Sequence, residues 1–252
     1  MIDIHSHLIP GIDDGSKSME MTLEMLRTAE KCGTKEIIAT PHYLLEYGEA
    51  KIGEVREYVK NINEKLKEEN IDVKIYSGQE VYYTENIIND YVNENIGTLN
   101  DSRYMLIEFD LRKFDENVFD YFYELQVKGI TPIIAHAERY KFIRENPEMI
   151  NRFVKEGYLM QMNIGSIEGK FGKEVQKTAQ ILLKHGIYNF IGSDAHNNSS
   201  RGMDVSNGLA LIDEENLKKF YESSKSILNN EEIKFDGEII KKKKSIFSIF
   251  KR

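Results

Sequence analysis

The chain has one cysteine, no tryptophan and four prolines in 252 residues. A lone Cys32 excludes an internal disulfide framework and agrees with a reducing compartment. Cys32 lies late in a helical pattern beside Gly33, so a buried structural thiol is expected. No apolar run approaches the roughly 20 residues that a membrane-spanning helix needs. The strand pattern starts at Ile2 with no leader-like segment before it, which sets the expectation of a cytoplasmic protein. Positive charge is also scarce, with 34 Lys and Arg against 42 Asp and Glu. Lys241, Lys242, Lys243, Lys244, Lys251 and Arg252 crowd into the last twelve residues, which hold no acid. The remainder stands at roughly −14. A body so acidic repels the phosphate backbone, which argues against general nucleic-acid binding.

What the chain does have is a regular alternation. Apolar runs at 2–4, 36–40, 73–77, 104–108, 130–135, 158–163 and 188–192 read as strands. Helical patterns near 18–32, 51–69, 84–95, 115–128, 147–156, 173–185 and 214–229 lie between or after them, the first with Ser18 as N-cap and Gly33 as stop. The runs are almost continuously apolar, as in parallel strands covered on both faces. The expected fold is α/β, one domain over residues 1–237, followed by a short basic and apolar tail at 238–252.

Metal-ligating residue types stand where these runs end. Ile2-Asp3-Ile4 leads to His5 and His7, which alternation places on one face. Asp13 and Asp14 follow in the next loop, where a turn is the plain alternative. The later runs lead to His42, Glu80, Glu108, His136, and then Asp194 and His196. An acid at the end of an apolar strand is costly unless paired or bound to metal. Each of these residues is ambiguous alone. Their recurrence at successive strand ends favours a closed or nearly closed barrel whose C-terminal ends share one pocket, since the first and last strands of an open sheet would lie far apart. His185, beside Gly186, ends a helical pattern and reads as a capping residue.

The segments MIDIHSHLIPGIDDGSKSMEM, IIATPHY, SGQEVYY, YMLIEFD, IIAHAERY and FIGSDAHNNSSRG occur in that order from residue 1 to 202. They resemble the polymerase-and-histidinol-phosphatase (PHP) superfamily, and within it the bacterial tyrosine phosphatases of the CpsB/CapC type found with capsule and exopolysaccharide genes. The resemblance implies a distorted (β/α)7 barrel with a trinuclear centre, usually described with manganese. Position by position it implies that His5, His7, Glu80 and Asp194 hold one ion. Glu80, as a bridge, would hold a second with Glu108 and His136, and Asp14, His42 and His196 a third. Iron or zinc also suits a set of histidines and carboxylates without thiolate.

Three divalent ions, four acids and a bridging hydroxide leave such a centre at about +1, suited to a phosphate dianion. Arg139 and Arg201 follow the His136 and His196 loops and are expected to bind substrate phosphate, with surface ion pairs as the plain alternative. Arg139, Arg201, Asp194 and His196 are the expected catalytic group, in a hydrolysis where metal-activated hydroxide attacks phosphorus in line with the leaving phenolate. The other common tyrosine-phosphatase chemistry needs an arginine six positions after its cysteine, and Ile38 stands there after Cys32. Tyr43, Tyr47, Tyr82, Tyr83 and Tyr140 are candidates to line an aryl pocket, against a reading as packing. Asn163 and Ser166 are candidates for phosphate contact. The implied partner is the phosphotyrosine tail of a bacterial tyrosine kinase controlling polysaccharide export. The 241–252 segment reads equally as a lipid-surface contact at the inner membrane face, a solvated end, or a segment packed on another subunit. Two rival functions stay open: a small-molecule phosphatase, such as a histidinol-phosphate phosphatase, and a non-catalytic scaffold in the kinase complex.

Overall fold

The structure, a computed structural model, describes residues 1–241. Its strand segments are β1 (Ile2–Asp3), β2 (Glu36–Ala39), β3 (His42–Tyr43), β4 (Lys74–Ser77), β5 (Glu80–Tyr82), β6 (Tyr104–Glu108), β7 (Thr131–Ile134), β8 (Leu159–Asn163) and β9 (Phe190–Gly192). They pair in the orders β1-β2-β4 and β3-β5-β6-β7-β8-β9, and every pairing between them is parallel.

Seven of the nine segments fall on the seven expected runs; β3 and β5 are short segments that lie beyond the runs at 36–40 and 73–77. β3 follows β2 after a break at Thr40-Pro41, where proline has no N–H for the ladder. β5 follows β4 after a break at Gly78-Gln79. A Cβ on Gly78 would stand 2.7 Å from Leu99 Cδ2 and 2.9 Å from Ile38 Cγ2, so a side chain there would meet the neighbouring core.

The sheet curls until its ends meet. Ser6, beyond β1, bridges in parallel to Ala195, beyond β9. The amide of His7 donates to the Ala195 carbonyl and that of Asp194 to the His5 carbonyl, both at 2.9 Å. This contact lies at the C-terminal ends of the strands. It brings the first and last runs together, as the barrel expectation requires, and the chain is one α/β domain built on a curled parallel sheet.

Alternation along each strand sorts side chains into layers. Tyr104 and Leu106 of β6, Ile133 of β7 and Leu159 of β8 join Ile4 and Phe190 in the inner core, whereas Met105, Ile107, Ile134, Met160 and Met162 face the surrounding helices. The helix at Met19–Lys31 starts at Ser18, whose side chain accepts from the Met21 amide. It and the helix at Ile52–Glu68 lay Leu23, Leu26, Val55 and Ile62 on the β1-β2-β4 side. His185 caps the helix at Lys173–Lys184, with Nδ1 at 2.8 Å from the Ile181 carbonyl. Further along, Glu238 N donates to the His185 carbonyl, and Ile240 exchanges two hydrogen bonds with the Asn151 side chain. Residues 242–252, most of the expected tail, lie outside the described residues. Among the described residues no helix is long and apolar enough to cross a membrane.

Candidate metal centre

All nine expected ligands come to one place at the C-terminal ends of the strands. Glu108 continues the inward phase of Tyr104 and Leu106. His136 and Asp194 are delivered by residues in the left-handed region, with φ of +33° and +51°. Backbone strain of that kind in non-glycine residues collects at functional sites, where the surrounding fold imposes it.

At the centre, His5 Nε2 and His7 Nε2 face each other at 3.2 Å. Both stand near Glu80 Oε2, at 3.1 and 3.2 Å, and near Asp194 Oδ1, at 3.7 and 3.5 Å. Glu80 Oε1 and Glu108 Oε1 lie 3.0 and 3.3 Å from His136 Nε2. Asp14 Oδ1 is 3.2 Å from His196 Nε2 and 3.6 Å from His42 Nε2, and His42 Nδ1 is 3.2 Å from Glu80 Oε2. These donors form three groups able to hold an ion: His7, Asp14, His42 and His196; His5, His7 and Glu80; and His42, Glu80 and Glu108. The grouping differs from the implied one in two ways: His7 and His42, as well as Glu80, each belong to two groups, and His136 and Asp194 belong to none. The cause of the sharing is compactness: the His7 and His196 rings are only 3.9 Å apart between centroids.

The donor set fits divalent cations. Ligands about 2.1 Å from a shared ion are about 3.0–3.4 Å apart in octahedral or tetrahedral arrangement, close to the spacings here. Asp14 Oδ1, His42 Nδ1 and His136 Nδ1 are buried without a hydrogen bond, although the first two have opposite-sign neighbours within 3.2 Å. Two imidazole nitrogens pointed at one another and at a carboxylate share more lone pairs than protons, which a cation resolves.

The charge balance points the same way. Burial opposes ionisation of Glu80, yet the histidines around it, His5 and His42 foremost, hold its carboxyl well below the ordinary range. Burial likewise opposes ionisation of Asp194, and His5, Arg201 and His7 overcome it and depress its pKa. For His136, burial and then Arg139 oppose protonation, but hydrogen bonding to Glu108 and Glu80 prevails and lifts the imidazole to about 9. His196, buried beside His7, is pushed below its ordinary value.

Asp13 was read as a turn residue and is more than that. Its side chain is fully buried, with Oδ2 at 2.8 Å from His7 Nδ1 and at 3.0 Å from the His42 amide, while Oδ1 accepts from the Gly15 amide. Burial raises its pKa, but His7 outweighs burial and keeps it ionised. His7 Nδ1 therefore donates, and Nε2 is left as the ligand atom, a carboxylate–histidine pair of the kind that orients metal ligands. Asp13 adds a fifth acid and lowers the expected charge of about +1 to near zero. The Asp-Asp-Gly string was its signal. Gly15 is required beside it, because a Cβ there would sit 2.1 Å from the His7 carbonyl oxygen.

Seven of the nine donors line a cavity of about 420 Å³; His5 and His7 are fully buried and line no part of it. Arg139 and Arg201 line it and meet on Asp194: Arg139 at 3.3 Å from Oδ2, and Arg201 at 2.7 Å from Oδ1. Arg112, absent from the sequence expectations, also lines it, along with Leu44, Phe109 and Leu111. Of the five candidate tyrosines only Tyr47 and Tyr82 reach the cavity; Tyr140 is fully buried and accepts from the Phe109 amide. Asn163 and Ser166 are fully buried and line no part of it, so a direct phosphate contact is corrected for both. Cys32 is half-buried, not buried, with its thiol 3.4 Å from Asp204 Oδ1 and outside the cavity. Cys32→Ser is expected to leave turnover within about twofold of the wild type, as for substitutions away from any built site; steady-state assay of the purified variant checks this.

A curled parallel sheet carrying this cluster defines a metal-dependent α/β-barrel hydrolase. The family model for capsular polysaccharide synthesis proteins, CpsB/CapC, matches residues 1–233, and the chain belongs to that family. The tyrosine-protein phosphatase YwqE of Bacillus subtilis is 35% identical over 215 residues, 85% of each chain. The tyrosine-protein phosphatase CpsB of Streptococcus pneumoniae is 32% identical over 206 residues, 80% of this chain and 85% of the relative. A chain from the crystal structures of those two proteins, described as metal-dependent tyrosine phosphatases, superposes with a TM-score of 0.90 at 33% identity, covering 96% of this chain and 100% of its own. A lactonase from Listeria monocytogenes, at TM-score 0.54 and 12% identity, shares the fold alone.

Proposed function

We propose that this chain is a metal-dependent protein-tyrosine phosphatase that hydrolyses phosphotyrosine on polypeptides, among them the phosphorylated tail of a bacterial tyrosine kinase governing capsule or exopolysaccharide synthesis. The observation that carries the reading is the convergence of five imidazoles and four carboxylates at the C-terminal ends of the strands, three of the imidazoles and all four carboxylates lining one cavity with two guanidiniums beside them. The proposed ions are three Mn2+: one on His5, His7, Glu80 and Asp194, one on Glu80, Glu108 and His136, and one on Asp14, His42 and His196. Such ions would supply Lewis-acid charge to the phosphoryl oxygens and lower the pKa of water at the site.

The rest falls to the protein. Arg139 and Arg201 rest on Asp194, and a phosphoryl dianion offers them several more acceptor oxygens in their place. The Arg139 guanidinium lies 4.7 Å from the centre of the Phe171 ring, which holds it ready and limits what its ordering costs. Tyr47, Tyr82 and Leu44 give the aryl group an apolar wall. Asp194 anchors both arginines beside His196 at the cavity, so that departure of the phenolate, a weak enough base to leave without strong acid help, meets fixed positive charge.

The test compares a phosphotyrosine peptide with histidinol phosphate, each with added Mn2+ and with chelator. Metal-dependent preference for the peptide is expected. Preference for histidinol phosphate moves the chain to the small-molecule class, and turnover of neither makes it a scaffold. The chain is further proposed to act in the cytoplasm at the inner membrane face, held by its basic and apolar 241–252 segment. Flotation with anionic liposomes should carry the full chain and leave a variant lacking that segment behind; equal flotation of both removes the idea.

A further inference from the structure

β8 is the one run whose C-terminal end supplies none of the nine candidate ligands. In their place it carries Gln161 and Asn163, two residues apart on the inward face and fully buried. Their hydrogen bonds connect three ligands on three other strands, and the direction of every bond follows from one backbone group.

The amide of His136 can only donate. It lies 2.9 Å from the Gln161 side chain, so the atom facing it is Oε1. The same Oε1 is 3.1 Å from His5 Nδ1, which must then carry a proton. With Nδ1 protonated, neutral His5 has its lone pair on Nε2, the atom facing His7, Glu80 and Asp194. The other end of the Gln161 amide, Nε2, donates to Asn163 Oδ1 at 3.0 Å. Asn163 Nδ2 is then the atom turned to Asp194 Oδ2, at 2.6 Å. That bond occupies Oδ2 and leaves Oδ1 toward the imidazoles. Two further features hold the pair in place. Glu138 Oε1 accepts from the Asn163 backbone amide at 3.0 Å, and Gly192 leaves the room, since a Cβ there would lie 2.9 Å from Gln161 Nε2 and 2.5 Å from His5 Cβ.

We propose that Gln161 and Asn163 are positioning residues that fix His5 as an Nε2 ligand and Asp194 as an Oδ1 ligand, and so set the affinity of the ion shared by His5, His7, Glu80 and Asp194. Gln161 does for His5 what Asp13 does for His7, with a neutral acceptor in place of a charged one. The proposal rests on the metal reading of the site and not on the identity of the substrate.

The test uses the full chain loaded with Zn2+, which is diamagnetic. In long-range 1H–15N spectra of the wild type, the His5 ring should show a proton on Nδ1 and coordination at Nε2. Coordination through Nδ1 overturns the proposal without any variant. Gln161→Met keeps the side-chain length and removes the acceptor. Competition with a chelator should then show one class of bound Zn2+ weakened by about 10–100-fold, the range for loss of an orienting partner, with the other sites kept. Gln161→Glu keeps both acceptor contacts but cannot donate to Asn163; it should restore the His5 signature while Asp194 loses its fixed partner. Unchanged chelator competition in Gln161→Met overturns the proposal, as does equal weakening at every site. Wild type that binds no Zn2+ or Mn2+ defeats the metal reading itself, and wild type that binds metal yet ignores phosphotyrosine defeats only the substrate.

Discussion

Asp194→Ala is expected to lower kcat/KM on a phosphotyrosine peptide by about 10³–10⁴-fold, the loss of roughly 4–5 kcal/mol of transition-state stabilisation. The Asp194 side chain joins the imidazole cluster to both arginines of the site. Oδ1 stands near His5, His7 and His196 and pairs with Arg201; Oδ2 takes Asn163 and Arg139. Alanine removes one oxygen from the metal cluster and the common anchor of both guanidiniums. The two losses act on the same phosphoryl group, so they should not add as independent contributions. Arg139 and Arg201 are partly exposed and can turn to water, so the variant should fold. Asp194→Asn tests the charge, since it keeps the shape and one oxygen; it should recover part of the metal content and little of the activity. Activity of Asp194→Ala within tenfold of the wild type would sink the assignment.

The strand runs were legible because parallel strands covered on both faces must be apolar throughout, and the ligands because acids and histidines recur at the ends of six of the seven runs. The helical patterns at 18–32, 173–185 and 214–229 correspond to helices at Met19–Lys31, Lys173–Lys184 and Glu214–Leu228. Periodicity was a poorer guide where helices are short. The pattern at 84–95 shrinks to Ile87–Val92, and Lys141–Glu145 and Ile164–Ile167 had no reading at all, being near a single turn long. β3 and β5 had no reading because they are two and three residues long and begin at His42 and Glu80, past the ends of the apolar runs.

In the site, the ligands could be read and their supports could not. Asp13, Gln161 and Asn163 are ordinary polar residues whose role depends on an atom across the barrel: Gln161 meets His5 from 156 positions away. Asn163 was expected at phosphate for its place at a strand end, but alternation had already turned it inward beneath Asp194. Arg112 escaped notice because it belongs to the loop after Glu108, where a basic residue reads as solvated surface.

Removing the ions should reverse the dependence of stability on pH. In the metal-free protein, carboxylates raise the pKa of His136 to about 9, and that of His7 is raised well above 6.5 against the opposition of burial. A histidine whose folded pKa exceeds its unfolded value contributes stability that is complete below the unfolded value, about 6.5, and disappears as pH rises through the folded one. Glu80 and Asp194, with depressed values, contribute stability that is present above the unfolded carboxylate range and lost on acidification. The metal-free fold therefore weakens from about pH 6.5 to pH 9, His136 alone accounting for about 3 kcal/mol. Metal-loaded protein should run the other way over that interval, because ligation needs neutral imidazoles and each proton that competes for one weakens binding. The melting temperatures of loaded and stripped protein should lie close together near pH 6 and separate by roughly 5–10 °C or more at pH 9. Parallel curves for the two forms would mean that the imidazoles of His7 and His136 do not exchange protons for metal, and that the cavity floor is a hydrogen-bonded network alone.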